Sequence, residues 1–265
     1  MAAVTEPYGA ASLVLTHWLT GDVPCAVPGL PGRWASREGR IVGTGLVPGE
    51  WRSSSGEPLG DRVELRVEGV GGSSIAGGSR TAGGPSIAGD PDGVSEIFIG
   101  DRAVRAFERD GVLALRILDP AAENRVTLTG IESYEPDERW RVAAKFEPRA
   151  EHREIELFDG YQRTVETSGS LVFTLDGVER RLTGTLRPDA ISVVFGDATN
   201  GVETYGFRFL TVPLPTAEGR TVIDFNRAYL PPCCFSDQFV CPLPTAENRL
   251  PVAIRAGERT VLRAE

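Results

Sequence analysis

Lysine and methionine are nearly missing from this chain of 265 residues: Lys145 is the one lysine and Met1 the one methionine. Schiff-base chemistry would have to use Lys145, which sits in the strand-like run RWRVAAKFEP, so a lysine enzyme is not expected. Histidine is scarce too. His17 and His152 are the two present, which leaves few bases that titrate near neutrality and few nitrogen ligands for a metal. No apolar run reaches the roughly 18 residues of a membrane-spanning helix. The opening MAAVTEPYGAASLVLTHWLT has neither the basic leader nor the long apolar segment of a secretory signal. Basic runs are also lacking, and the net charge of -9 repels phosphate backbones and anionic lipid. No Walker loop, dinucleotide fingerprint, H-E-x-x-H or G-x-S-x-G occurs. These absences lead us to expect a cytoplasmic protein with no cofactor, no metal, no nucleic-acid partner and no membrane partner, whose partner is a small-molecule ligand or substrate.

What the chain does have is turn chemistry, with 31 glycines and 19 prolines, and enough apolar residues, 41%, for a substantial core. In SLVFTLDGVERRLTG, Leu171, Phe173 and Leu175 alternate on one face and Asp176-Gly177 supplies the positive φ of a tight hairpin. AVRAFERDGVLALRIL repeats the pattern around Asp110-Gly111. REIELFDG and ISVVFGD read as further strands. Hairpins in series predict an all-β fold of two packed β units, sandwich- or barrel-like, with one short N-terminal helix over Ala10 to Leu19. Residues 1–118 form the first unit in this reading and 119–265 the second. Residues 70–93, VGGSSIAGGSRTAGGPSIAGDPDG, read as a Gly/Ser-rich insertion in the first unit, and a flap over a pocket is its functional reading.

Three of the four cysteines fall in one short run, IDFNRAYLPPCCFSDQFVCPLPTAEN, residues 223–248. That run, with FGDATNGVETYGFRFL at 195–210, closely resembles the signature of a bacterial family catalogued as domain of unknown function family 1684. The family pattern is of the type F-x-D-x-T-x-G-x-E-T-Y-G, then D-F-N-x-A-Y-N-P-x-C, then C-P-x-P-x-x-E-N. LVLTHWL and DGVLALRILDP resemble its weaker N-terminal features. Leu230 stands where the pattern has Asn, Cys234 is an additional thiol, and Phe207 replaces a glycine. The resemblance implies no substrate.

The polar residues of the signature are the candidate site. If the strands RTVIDF and ISVVFGD pair, their ends bring together Asp197, Thr199, Glu203, Tyr205 and Arg208 with Asp224, Asn226 and Tyr229. Asp224 or Glu203 would act as general acid or base, Tyr205 or Tyr229 would donate to a developing oxyanion, and His17 is a further catalytic candidate. Arg208 would clamp a carboxylate or phosphate, with Asn226, Asp197 and Thr199 as further ligand contacts. The Cys233 to Cys241 spacing fits neither a C-x-x-C redox motif nor a common zinc site. The functional expectation is a cofactor-independent enzyme that hydrolyses, isomerises or cyclises a small organic molecule in a C-terminal pocket. The alternatives are a non-catalytic small-molecule-binding protein and a structural or protein-interaction module, for which Asp, Thr and Asn would serve as turn formers.

Overall fold

The structure, a computed structural model, describes residues 2–67 and 94–264. The Gly/Ser-rich segment, residues 70–93, and with it the flap reading, lies outside the described residues. The chain divides into two compact units, Met1–Thr127 and Leu128–Glu265, and both are built from antiparallel strands.

In the first unit a four-residue helical turn, α1 (Ala2–Thr5), precedes β1 (Leu13–Trp18), β2 (Cys25–Val27), β3 (Leu30–Arg37), β4 (Arg40–Thr44), β5 (Trp51–Ser53), β6 (Arg62–Leu65), β7 (Glu96–Ile99), β8 (Arg102–Arg109) and β9 (Val112–Leu118). One sheet has the order β1-β9-β8-β7-β5 and the other β2-β3-β4-β6. Both supply one buried core, in which Trp34 and Trp51 lie 5.5 Å apart between Ile41, Leu65, Ile97 and Leu115. The expected helix over Ala10 to Leu19 is corrected: after a 3₁₀ turn at Ala10–Ser12 the segment is β1, paired with β9. Its residues are β-branched or aromatic often enough to fit a pleated surface, and the neighbouring strand decides the outcome. The β8–β9 hairpin turns as expected through Asp110 and Gly111, with φ of 50° and 82°. Beyond β9, the Asp119 N–H bonds Ser12 O at 2.8 Å, and Arg125 in α2 (Glu123–Val126) bonds Thr5 O at 3.1 Å. These bonds hold residues 119–127 to the first unit.

The second unit contains β10 (Leu128–Ser133), β11 (Arg141–Glu156), β12 (Gln162–Leu175), β13 (Val178–Leu186), β14 (Ala190–Phe195), β15 (Arg208–Pro213), β16 (Arg220–Asp224) and β17 (Glu258–Arg263). β10 and β17 form a separate ribbon, and the other strands form a sheet of order β15-β14-β13-β12-β11-β16. Its outer strands approach each other, with Thr221 Oγ1 donating to Pro213 O at 2.8 Å, so the sheet is a nearly closed barrel. The bend that allows closure is visible at Gly169, paired with Gly184 opposite a register shift between Pro148 and Glu151. A Cβ at Gly169 would collide with the Glu147 carbonyl and lie 2.7 Å from the Phe146 ring. Only glycine lets the strands cross so closely.

Aromatic rings fill the barrel interior. Phe225, fully buried, meets Phe195 at 5.7 Å, Phe173 at 5.9 Å and Trp140 at 6.5 Å. The strand pairing expected between RTVIDF and ISVVFGD does not occur: β16 pairs with β11, and β14 with β13 and β15. Phe195 and Phe225 touch, but the polar residues that follow each strand take separate paths.

Candidate functional site

β14 ends at Phe195, and the turn after it builds a buried polar knot. Asp197 Oδ1 accepts from Thr199 N at 2.9 Å, Thr199 Oγ1 at 2.6 Å and Ile254 N at 3.1 Å, while Oδ2 accepts from Arg208 Nη2 at 2.8 Å. Arg208, at the start of β15 and fully buried, also donates to the carbonyls of Ala256, of Ile254 at 2.8 Å and of Glu258 at 3.2 Å. Its Nε has no protein partner among the described residues. Thr199 Oγ1 lies 2.8 Å from Thr204 Oγ1, and Asn200 closes the turn by donating to Thr204 Oγ1 and Tyr205 O. Burying a charge pair is costly, and the cost is offset when the remaining donors and acceptors find partners. Here the arginine fastens the 254–258 segment to the barrel. The ligand-clamp reading of Arg208, Asp197 and Thr199 is not supported by this arrangement.

Three other signature polar residues also have partners within the protein. Asp224 caps the 3₁₀ turn Phe225–Arg227, its Oδ1 accepting from Asn226 N at 3.1 Å and Asn226 Nδ2 at 3.0 Å, with Arg141 3.6 Å from its other oxygen. Asn226 exchanges two 3.0 Å bonds with the backbone of Asp137. Glu203 receives a forked contact from Arg255, shortest at 2.7 Å, and the Tyr134 hydroxyl at 2.9 Å. The Arg255 bonds, then Tyr134, hold the Glu203 carboxyl down to about 2, which is the wrong direction for a base or acid working near neutrality.

Asn248 was missed by sequence reasoning. β13 and β14 pair only at Thr185 with Ser192 and Leu186 with Ile191. Where they part, Asn248 accepts from Thr183 N at 2.8 Å and donates to Thr183 O at 2.9 Å and Val194 O at 2.8 Å. Its amide stands in for a missing stretch of ladder. The E-N at the end of the signature was the available signal, but nothing local to it reveals partners 54 and 65 residues away.

Tyr205 and Tyr229 are brought together, beside the thiols. Phe207, Phe209, Cys233 and Cys241 form a buried cluster, with Tyr205, Tyr229, Phe239 and Leu243 packed partly exposed against it. The Tyr205 hydroxyl donates to Cys233 Sγ at 3.6 Å, and the Cys233 N–H donates to Cys241 Sγ at 3.3 Å. The Cys241 side chain and, less strongly, the Tyr205 hydroxyl hold the Cys233 thiol below its ordinary value of 9.0 against the opposing effect of burial. Burial drives Tyr205 and Tyr229 upward, so both phenols stay protonated as donors. Cys234, next in sequence, is pushed up to about 12 by burial. Prolines set the path of this segment: Pro231 precedes and Pro232 opens a 3₁₀ turn, with φ at Pro231 of -70°.

His17 belongs to the first unit, on β1 rather than a helix, where its Nε2 lies 4.0 Å from Cys25 Sγ while that thiol donates to Trp34 O at 3.4 Å. Among the described residues no group of three or more His, Cys, Asp or Glu is arranged to hold a metal ion, and no helix is long and apolar enough to cross a membrane.

Residues 126–259 match the family described as protein of unknown function, DUF1684. The chain belongs to this family. The DUF1684 match covers the second unit almost entirely, and LVLTHWL and DGVLALRILDP lie outside the matched residues. An uncharacterized protein of Haloarcula marismortui, solved by NMR in solution, is 33% identical over 49% of this chain and 76% of its own, with a TM-score of 0.41. None of the curated proteins matches the chain.

Proposed function

We propose that this DUF1684 protein acts without a cofactor on a small organic molecule through its C-terminal unit, with the Cys233 thiol as reacting group. The observation that carries this is the surroundings of the Cys233 sulfur, which accepts from the Tyr205 hydroxyl at 3.6 Å beside Cys241, whose own sulfur accepts from the Cys233 N–H at 3.3 Å. Donors aimed at a sulfur favour its thiolate, the form that attacks an electrophilic carbon. Tyr205, kept protonated by burial, is the donor available to a developing oxyanion. The carboxylates proposed from sequence supply no comparable group, because Asp197 accepts four bonds and Glu203 is held strongly acidic.

The test is alkylation of the reduced protein by iodoacetamide between pH 6 and 9, followed residue by residue by mass spectrometry. Cys233 is expected to react at lower pH than Cys234 and to have its midpoint below 9.0. Indifference of Cys233 at every pH at which the protein stays folded would overturn the reading. A second reading, in which the family residues serve folding and the protein acts as a non-catalytic module, is favoured by the complete burial of the Asp197–Arg208 pair. A metabolite screen by thermal shift separates the two. Ligands lost with folded Cys233→Ala support the thiol site, and the absence of any ligand supports the module.

A further inference from the structure

Cys233 and Cys241 are eight residues apart in sequence and adjacent in space. The Cys241 sulfur accepts from the Cys233 backbone N–H at 3.3 Å, and both side chains lie in one buried cluster. In a cross-strand or turn setting, a disulfide requires Cα atoms within about 7 Å and side chains that point toward each other. The Cys241 sulfur is aimed at Cys233, and the two residues pack in the same buried cluster. Cys234 stands outside the cluster that holds Cys233 and Cys241, and burial pushes its thiol up to about 12. Tyr205, Phe239 and Leu243, which are partly exposed, pack against the buried cluster that holds both thiols.

From this juxtaposition we propose that Cys233 and Cys241 are a peroxide-oxidisable dithiol, a covalent modification site that closes reversibly into a disulfide. The proposal rests on the reading of Cys233 as the reactive thiol and adds Cys241 as its resolving partner. The Cys233 thiolate attacks one oxygen of a small peroxide, the O–O bond breaks, and the departing oxygen leaves as water or an alcohol after taking a proton. Cys233 is then a sulfenic acid. Cys241 attacks that sulfur, its thiol proton leaves with the hydroxyl as water, and the S–S bond forms. Overall one peroxide is reduced by two electrons and two thiols are oxidised by two. A dithiol reductant reverses the product. A disulfide sulfur is a weaker acceptor than a thiolate, so the bond from the Tyr205 hydroxyl to Cys233 weakens when the disulfide forms.

The experiment uses the full chain, reduced and then treated with hydrogen peroxide, alkylated with iodoacetamide under denaturing conditions and mapped by peptide mass. The expected result is two fewer alkylated cysteines and one Cys233–Cys241 linked peptide, restored by dithiothreitol. Cys234→Ala is expected to behave as wild type. Cys241→Ser is expected to give no link and to trap Cys233 as a dimedone adduct, which keeps the test meaningful if a disulfide is strained. Four alkylated cysteines after peroxide, or a link between any other pair, overturns the proposal. If Cys233 still alkylates at low pH in that event, only the dithiol fails and the nucleophile reading stands. If Cys233 is inert to both reagents, the functional reading fails with it.

Discussion

Arg208 and Cys233 are both buried in the second unit, and both come from runs that resemble one family signature, yet their surroundings differ in kind. Around Arg208, Asp197 has four donors on two oxygens and the guanidinium reaches three carbonyls. Apart from the two bonds from Thr199 within the turn, each of them ties one chain segment to another. Around Cys233 the partners are a phenol and a second thiol, beneath side chains that are partly exposed. A buried charge pair whose donors and acceptors are filled by backbone and neighbouring side chains holds a fold. A polarisable group held by weak donors is left able to react.

The largest effect separating the two regions is expected from Asp197→Ala. It leaves the Arg208 charge buried and unpaired, which costs about 3–5 kcal/mol, and it orphans the Ile254 N–H. Urea unfolding should show the loss as a lower midpoint, or the variant should fail to fold. Cys233→Ala, by contrast, should cost about 1 kcal/mol, the value of a small buried apolar group. Equal losses from the two substitutions would erase the distinction between fastener and reactive site.

Asp224 gives a finer test, because it was read from sequence as catalytic and sits in the structure as a cap. Asparagine caps nearly as well as aspartate, whereas alanine loses about 0.5–2 kcal/mol. Asp224→Asn is therefore expected to keep its melting temperature and Asp224→Ala to lower it by several degrees. A large loss in Asp224→Asn would mean that the charge facing Arg141 matters more than the cap.

How far the sequence alone reached depends on the range of the interactions. The hairpins at Asp110-Gly111 and Asp176-Gly177 were legible because a tight turn with positive φ is written in adjacent residues. The strand at Leu13–Trp18 was read as a helix because the partner that settles it, β9, lies about 100 residues on. The site was misread for the same reason. Asp, Thr, Arg and Asn in a dense polar run look alike whether they face a ligand or the backbone of Ile254 and Ala256, and the difference lies in contacts more than 40 residues apart. The thiols were judged by spacing against metal and C-x-x-C patterns. Nothing in spacing shows that Tyr205 donates to one of them across 28 residues.

Tyr205→Phe sharpens the comparison on the reactive side alone. The ring keeps its contact with Phe207, at 5.7 Å between centroids, and only the hydroxyl donor is removed. A hydrogen bond worth about 1 kcal/mol corresponds to roughly a fivefold change in thiolate population. The iodoacetamide rate of Cys233 at pH 7 should fall by about that factor, with stability changing by less than about 1 kcal/mol. The Cys241 bond, the larger cause of the lowered thiol, remains, so the effect is partial. An unchanged rate would leave Cys241 as the sole activating partner.

The smallest effect is expected at Glu203, on the exposed rim of the fastening network. Its carboxyl is held at about 2 against an ordinary 4.5, by Arg255 first and Tyr134 second. A depressed carboxyl contributes stability that is present above the unfolded value and lost as pH falls through the folded one. The contribution is thus complete at neutrality, declines below about 4.5 and is gone below about 2. Solvent around the pair screens it, so it is small in size. Arg255→Ala should return the Glu203 titration, followed by NMR of the side-chain carboxyl, most of the way to its ordinary value. Because the buried Asp197–Arg208 bonds stay intact in that variant, its unfolding midpoint at pH 7 should hardly move. A substantial drop would mean that the rim and the buried knot fold as one network, and that the boundary drawn between them lies further out than Glu203.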